Sequence, residues 1–246
     1  MCTTASNHTM DHGAPGAIST LDVLDQAGIA HTGSARSAEE AATPLILDVP
    51  GAKVGWLSYT FAFNTGTHRP ADAPWMANVL DADTVLDDAK AAREAGADVV
   101  VASLHWGLEG KHEPTDEQRR IADEVLADPA VDLIIGHHAH VVQPFEMLHG
   151  KWVAYGLGNQ VARHAEPKGT TEEGALARFT FTREEDGWAV TTAEYLPTLV
   201  DLGPPVRLRD LTVEAGDERA REAIERTDAV VFSLGADADG LVRAGV

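Results

Sequence analysis

Asp98-Val99-Val100-Val101-Ala102-Ser103-Leu104-His105 is an unbroken apolar run closed by a histidine. A strand covered on both faces is written this way, because neither side of its pleat meets water. Ahead of it, residues 83–95 carry helical spacing and Gly96 closes the helix. The pattern then recurs. Residues 115–127 predict a second helix, with Thr115 and Gln118 spaced for a capping box, and residues 131–135 a second buried strand. Buried strands alternating with helices predict an α/β fold with parallel pairing.

Outward from this centre, residues 15–27 predict a helix with Pro15 in its first turn, a stripe of Ile18, Leu21 and Leu24, and Gly28 as C-cap. Residues 45–49 and 54–59 flank Pro50-Gly51-Ala52-Lys53 as a hairpin, and 64–77 predict a long surface loop. Residues 145–148 and 152–157 form another hairpin. Residues 175–182 and 188–199 alternate around Glu185-Asp186-Gly187, and 218–227 predict a short helix. One domain over 1–246 is expected, with an α/β core to about residue 165 and a β-rich part from 166. The acidic stretches 81–88 and 172–173 are expected to be exposed.

The chain has 246 residues, 44% hydrophobic and 24% charged, enough to bury a core. Its 39 Asp and Glu against 19 Lys and Arg give a net charge of −20. Such a surface repels nucleic acid and anionic membranes, and an anionic substrate needs local positive charge such as a metal. The single cysteine, Cys2, excludes an internal disulfide and a Cys-based zinc cluster. No apolar run approaches the roughly 18 residues of a membrane helix, and the residues from Met1 carry no basic stretch followed by an apolar core, so no export signal is expected in them.

Polar residues cluster just beyond the strands. Asn7-His8 follows a first short strand, and His105 follows Leu104. Gly136-His137-His138-Ala139-His140 follows Ile135, and Gly158-Asn159 follows the 152–157 run. Ligands of open α/β sheets bind beyond the carboxyl ends of strands. Imidazoles and a carboxamide gathered on one rim suit a divalent metal. His12, His31, His68, His112, His149 and His164 have no spacing that argues for ligation.

The blocks 6–13 (Ser-Asn-His-Thr-Met-Asp-His-Gly), 104–109 (Leu-His-Trp-Gly-Leu-Glu), 134–144 (Ile-Ile-Gly-His-His-Ala-His-Val-Val-Gln-Pro) and 155–159 (Tyr-Gly-Leu-Gly-Asn) resemble the CapA-type poly-γ-glutamate capsule-synthesis family. That family belongs to the calcineurin-like metallophosphoesterase superfamily. The resemblance covers about residues 3–160. It implies a four-layer α/β sandwich and metal-dependent hydrolase chemistry of the phosphoesterase kind. By the resemblance, Asn7, His105 and His138 ligate one metal of a pair and His140 the other. His8 is then a proton donor or transition-state stabiliser. Glu109 and Asn159 shape the rim of a substrate pocket, Trp106 stands where it could touch substrate, and His137 is a supporting residue. Asp11 and Gly13 are expected to fix the turn after His8. The metals that the resemblance implies are divalent manganese, zinc or iron.

Family members begin with a Gly-Asp block and an Asn-Leu-Glu block, whose carboxylates bind and bridge the metals. Neither precedes Asn7 here, so the fold is expected to be truncated at its N-terminus, with one metal or none in this chain and two in a complete site. The implied partners are an anionic polymer or phosphoester substrate and capsule-synthesis machinery. Family members are often anchored outside the membrane by an N-terminal segment, which this chain is expected to lack. A non-catalytic polymer-binding accessory, or an inactive fragment with a half-built metal site, is the alternative.

Overall fold

The computed structural model describes residues 1–162, 169–185 and 187–245. His164 and Asp186, the latter at the tip of the expected 175–199 hairpin, lie outside the described residues. The chain divides into two compact units, Met1–Trp106 with Glu124–Ile134, and Gly107–Asp123 with Ile135–Val246.

In unit one, β1 (Cys2–Thr3) pairs in parallel with β2 (His31–Thr32). Between them runs α1 (Gly13–Gln26), which buries Ala17 and Leu21. Ala17 packs with Met10, Met76 and Ala77. The end of the 64–77 segment is therefore core rather than surface loop: a single 3-10 turn, Pro74–Met76, carries Met76 and Ala77 inward to 6% and 0% exposure.

A short α2 (Ala38–Ala41) is capped by the Ser37 side chain. The expected hairpin follows as β3 (Leu45–Val49) and β4 (Ala52–Thr60). The Asp81 carboxylate caps α3 (Ala82–Glu94), which leads into β5 (Val99–His105). β5 lies parallel to β4 with His105 opposite Thr60, and its six residues before His105 are buried.

The last turn of α4 (Asp116–Ala127) and the start of β6 (Leu133–His137) belong to this unit. The strand expected at 131–135 begins two residues later because Asp132 is an anchor. Its Oδ2 accepts from the Val100 N–H at 2.6 Å and from Arg93 at 2.5 Å. Arg93 also donates to the carbonyls of Ala130 and Asp98. One ion pair thus ties α3, β5 and the entry of β6 together.

In unit two, the capping box at the head of α4 is realised. Thr115 N donates to Gln118 Oε1 at 3.0 Å, and Gln118 N donates to Thr115 Oγ1 at 3.2 Å. β7 (Phe145–Leu148) and β8 (Lys151–Ala154) form an antiparallel hairpin. β8 ends before residue 157, yet pairing continues irregularly as Tyr155 N donates to Pro144 O and Gln143 N to Gly156 O. β9 (Glu173–Glu184) and β10 (Gly187–Asp201) make a long hairpin; β11 (Arg207–Asp210) joins β10 antiparallel and β12 (Leu241–Arg243) joins it in parallel. Leu199 and Leu211 pack against Ala220, Ala223 and Ile224 of α5 (Glu218–Val231).

The expectation of exposed charge at 172–173 is overturned. Glu172 and Glu173 are each 3% exposed. Glu173 accepts from Arg226 at 2.6 and 2.8 Å, and burial pushes its carboxyl up while Arg226 opposes that. Glu172 accepts from the Thr171 hydroxyl at 3.1 Å. An acidic pair in sequence carries no mark of burial when its cation lies more than fifty residues away.

Asp132→Ala leaves the Val100 N–H and the Arg93 guanidinium without their shared acceptor. It is expected to lower stability by about 2–3 kcal/mol in urea unfolding. A change within about 0.5 kcal/mol of wild type, the size of an ordinary surface substitution, would contradict the anchor role.

Candidate metal and proton-transfer site

The unit-one part of the site begins with a tight turn after β1. Ser6 N donates to Thr9 Oγ1, Thr9 N to Ser6 O, and Asp11 N to His8 O. This places Asn7 and His8 side by side, Asn7 buried and His8 exposed. From the other direction, β5 delivers His105. Its Nε2 lies 2.9 Å from Asn7 Oδ1. The Phe61 N–H donates to His105 O, turning the chain after β4 toward Asn7, where the Asn64 N–H donates to Asn7 O at 3.0 Å.

Asn64 joins the side chains together. Asn7 Nδ2 donates to Asn64 Oδ1 at 2.8 Å, and Asn64 Nδ2 donates to Asp11 Oδ1 at 3.0 Å. The other Asp11 oxygen sits 2.5 Å from His8 Nδ1. Asn64 Nδ2 also lies 3.0 Å from His8 Nδ1, but it donates to Asp11; a carboxylate only accepts, so Nδ1 carries the proton of the shorter contact. The hydrogen bonds from His8 and then Asn64 hold the Asp11 carboxyl below the usual carboxylate range. Asp11 therefore does more than shape the turn: it grips the His8 ring.

In unit two, His138 and His140 leave β6 with positive φ, 96° and 56°. A non-glycine residue held there costs of order 1–3 kcal/mol, and such strain clusters at functional sites. The two rings lie 6.3 Å apart between centroids. Asn159, 7% exposed, donates through Nδ2 to the carbonyls of Thr171 at 2.8 Å and His140 at 3.4 Å. That fixes its Oδ1 toward His140 Nδ1 at 2.8 Å. The His140 proton is then on Nδ1, so the ring would take a metal through Nε2. Asn159 thus acts on His140. Gly158 before it has φ 68°, and a Cβ there would meet the Glu173 carbonyl at 2.6 Å.

His137 ends β6 with Nε2 buried and without a hydrogen-bond partner, and burial lowers its pKa to about 4. Glu109 is exposed in unit two. Trp106 is 2% exposed, so its ring offers a substrate little surface.

Asn7 Oδ1 and His105 Nε2 fit a common divalent cation. Ligands at about 2.0–2.1 Å in octahedral array stand roughly 3 Å apart when adjacent, the separation observed here. The donor types, carboxamide oxygen and imidazole nitrogen, suit a borderline to hard ion. Among the described residues, no three His, Cys, Asp or Glu side chains gather as a metal-holding group. Asn64 was not anticipated from sequence, although it follows the end of β4 as the other site residues follow their strands. That shared position is the signal that could have found it.

A family model described as bacterial capsule synthesis protein PGA_cap matches residues 1–164. The capsule biosynthesis protein CapA of Bacillus anthracis is 28% identical over 204 residues, covering 82% of this chain and 48% of the relative. The PGA biosynthesis protein CapA of Bacillus subtilis (strain 168) is 30% identical over 189 residues, 74% of this chain and 47% of the relative. The chain spans about half the length of the curated relatives it matches. A solved Staphylococcus aureus protein assigned as a 5'-nucleotidase aligns with a TM-score of 0.53 at 18% identity, over 91% of this chain and 41% of that one. That likeness shows a shared fold, and the α/β class expected from sequence is observed. With residues 1–164 matched, the chain belongs to the bacterial capsule synthesis protein PGA_cap family.

Proposed function

We propose that this chain carries a metal-dependent hydrolase site of the phosphoesterase kind, serving synthesis of an anionic surface polymer such as poly-γ-glutamate. The observation that carries it is the Asn7–His105 donor pair, with the His8–Asp11 pair beside it in sequence. A net charge of −20 disfavours an anionic substrate unless a cation is bound. Asn7 and His105 would hold a divalent metal in unit one; in unit two, His138 and His140 are the side chains that would offer ring nitrogens to one. A bound divalent cation polarises a phosphoryl oxygen and lowers the pKa of a bound water.

His8 handles the proton. Its Nδ1 is committed to Asp11, so Nε2 is the nitrogen that exchanges a proton with the leaving oxygen. The Asp11 contact fixes the tautomer and the ring plane, as an orienting carboxylate does for a catalytic histidine. Among the described residues, no helix is long and apolar enough to cross a membrane.

Metal content after loading with Mn²⁺ or Zn²⁺ and dialysis is expected at about one or two ions per chain. Loss of one ligand in His105→Ala or His138→Ala is expected to weaken binding at least about tenfold, the scale reached by removing a mere hydrogen-bond partner of a ligand. No retained metal at saturating Mn²⁺ and Zn²⁺ would contradict the site. With Mn²⁺, a generic phosphodiester should turn over, and His8→Ala should lower kcat by about 10²-fold with metal content unchanged. Binding of poly-γ-glutamate without turnover of any phosphoester would favour an accessory role instead.

The Asp11 carboxyl, followed by carbon-detected NMR, is expected to titrate below its ordinary 3.8 and to return toward it in His8→Ala. Because the folded value is the lower one, the stability Asp11 contributes is present above 3.8 and lost as pH falls through the folded value. A midpoint at or above 3.8 in the wild type would contradict the clamp.

A further inference from the structure

An amide side chain has one accepting end and one donating end, so a chain of amides transmits orientation. Here the chain starts at a group that cannot donate. The Asp11 carboxylate takes the Asn64 Nδ2 hydrogen at 3.0 Å, which turns Asn64 Oδ1 toward Asn7. Asn64 Oδ1 takes the Asn7 Nδ2 hydrogen at 2.8 Å, which turns Asn7 Oδ1 toward His105 Nε2 at 2.9 Å. Asn64 is itself held, since Thr67 donates to its carbonyl from both N and Oγ1, at 2.9 and 2.8 Å. It also donates its own N–H to Asn7 O.

We infer that Asn64 is a positioning residue that, with Asp11, fixes the Asn7 amide so that its oxygen rather than its nitrogen is presented beside His105. This rests on the reading that Asn7 and His105 hold a divalent cation. An Asn7 amide turned the other way offers two N–H groups and no lone pair, and cannot ligate. In the metal-free protein the same orientation makes His105 Nε2 the protonated ring nitrogen. The network thereby leaves a mark that is readable without metal or activity.

The test uses the full chain as wild type, Asn64→Leu and Asn64→Asp. Leucine removes the amide contacts with Asn7, Asp11 and His8. Aspartate keeps an oxygen that accepts from Asn7 Nδ2, loses the Asn64 Nδ2 contacts with Asp11 and His8, and faces the Asp11 carboxylate with a like charge. Long-range proton–nitrogen NMR at about pH 8, where imidazole is neutral, reads the His105 tautomer in the metal-free protein. Calorimetry reads Mn²⁺ and Zn²⁺ affinity. The wild type and Asn64→Asp are expected to show the Nε2–H tautomer. Asn64→Leu is expected to show a mixture and a metal affinity lower by about 10–100-fold, the range for outer-shell partners. An unchanged tautomer in Asn64→Leu overturns the positioning role, whatever the metal does. A mixed tautomer in Asn64→Asp as well shows that general damage to the loop, not amide orientation, is responsible, and also overturns it. Wild-type protein that shows the tautomer pattern but binds neither ion overturns the cation reading.

Discussion

Strand β5 sets the terms for unit one. Six consecutive residues, Val99 to Leu104, are buried, so the strand has no wet face along its length and its backbone is satisfied by neighbours. Polar side chains can enter only at its end, where His105 stands opposite Thr60. The Arg93–Asp132 pair reinforces this geometry from the strand's beginning, since Asp132 accepts the Val100 N–H directly. A rigid buried strand is a suitable holder for a ligand, because side chains locked by packing keep their geometry better than those on loops.

Beyond the strand end, order comes from polarity matching. Asp11 can only accept, which assigns the proton of His8 and the amide of Asn64 together. Asn159 plays the corresponding part in unit two, where two carbonyl acceptors fix its amide and so the tautomer of His140. Both arrangements present a defined lone pair on a ligand-type atom. The positive φ of His138 and His140 has the same character, since glycine would occupy those angles without strain.

Much of this was legible in the residues. The apolar runs and their terminal histidines gave away β5 and β6, and the Thr115–Gln118 spacing gave away the capping box that forms at α4. Position just beyond strand ends marked Asn7, His8, His105, His138 and His140 as candidates, and the family resemblance suggested their roles. What stayed hidden depended on contacts distant in sequence. Asn64 lies 57 residues from the Asn7 it holds, inside a stretch without periodicity. Met76 and Ala77 are core only because α1 packs over them. Glu173 is buried because Arg226 reaches it from 53 residues away. Asp11 looked like a turn residue, and its grip on His8 shows only once the turn is folded.

The central claim is that Asn7 and His105 are ligands of one divalent cation. X-ray absorption at the metal edge of the zinc-loaded chain tests it most directly. The account predicts a nitrogen and oxygen shell at about 2.0–2.1 Å with outer-shell imidazole scattering. That imidazole signal should weaken in His105→Ala. A zinc spectrum with no imidazole scattering, or one identical in wild type and His105→Ala, would contradict it.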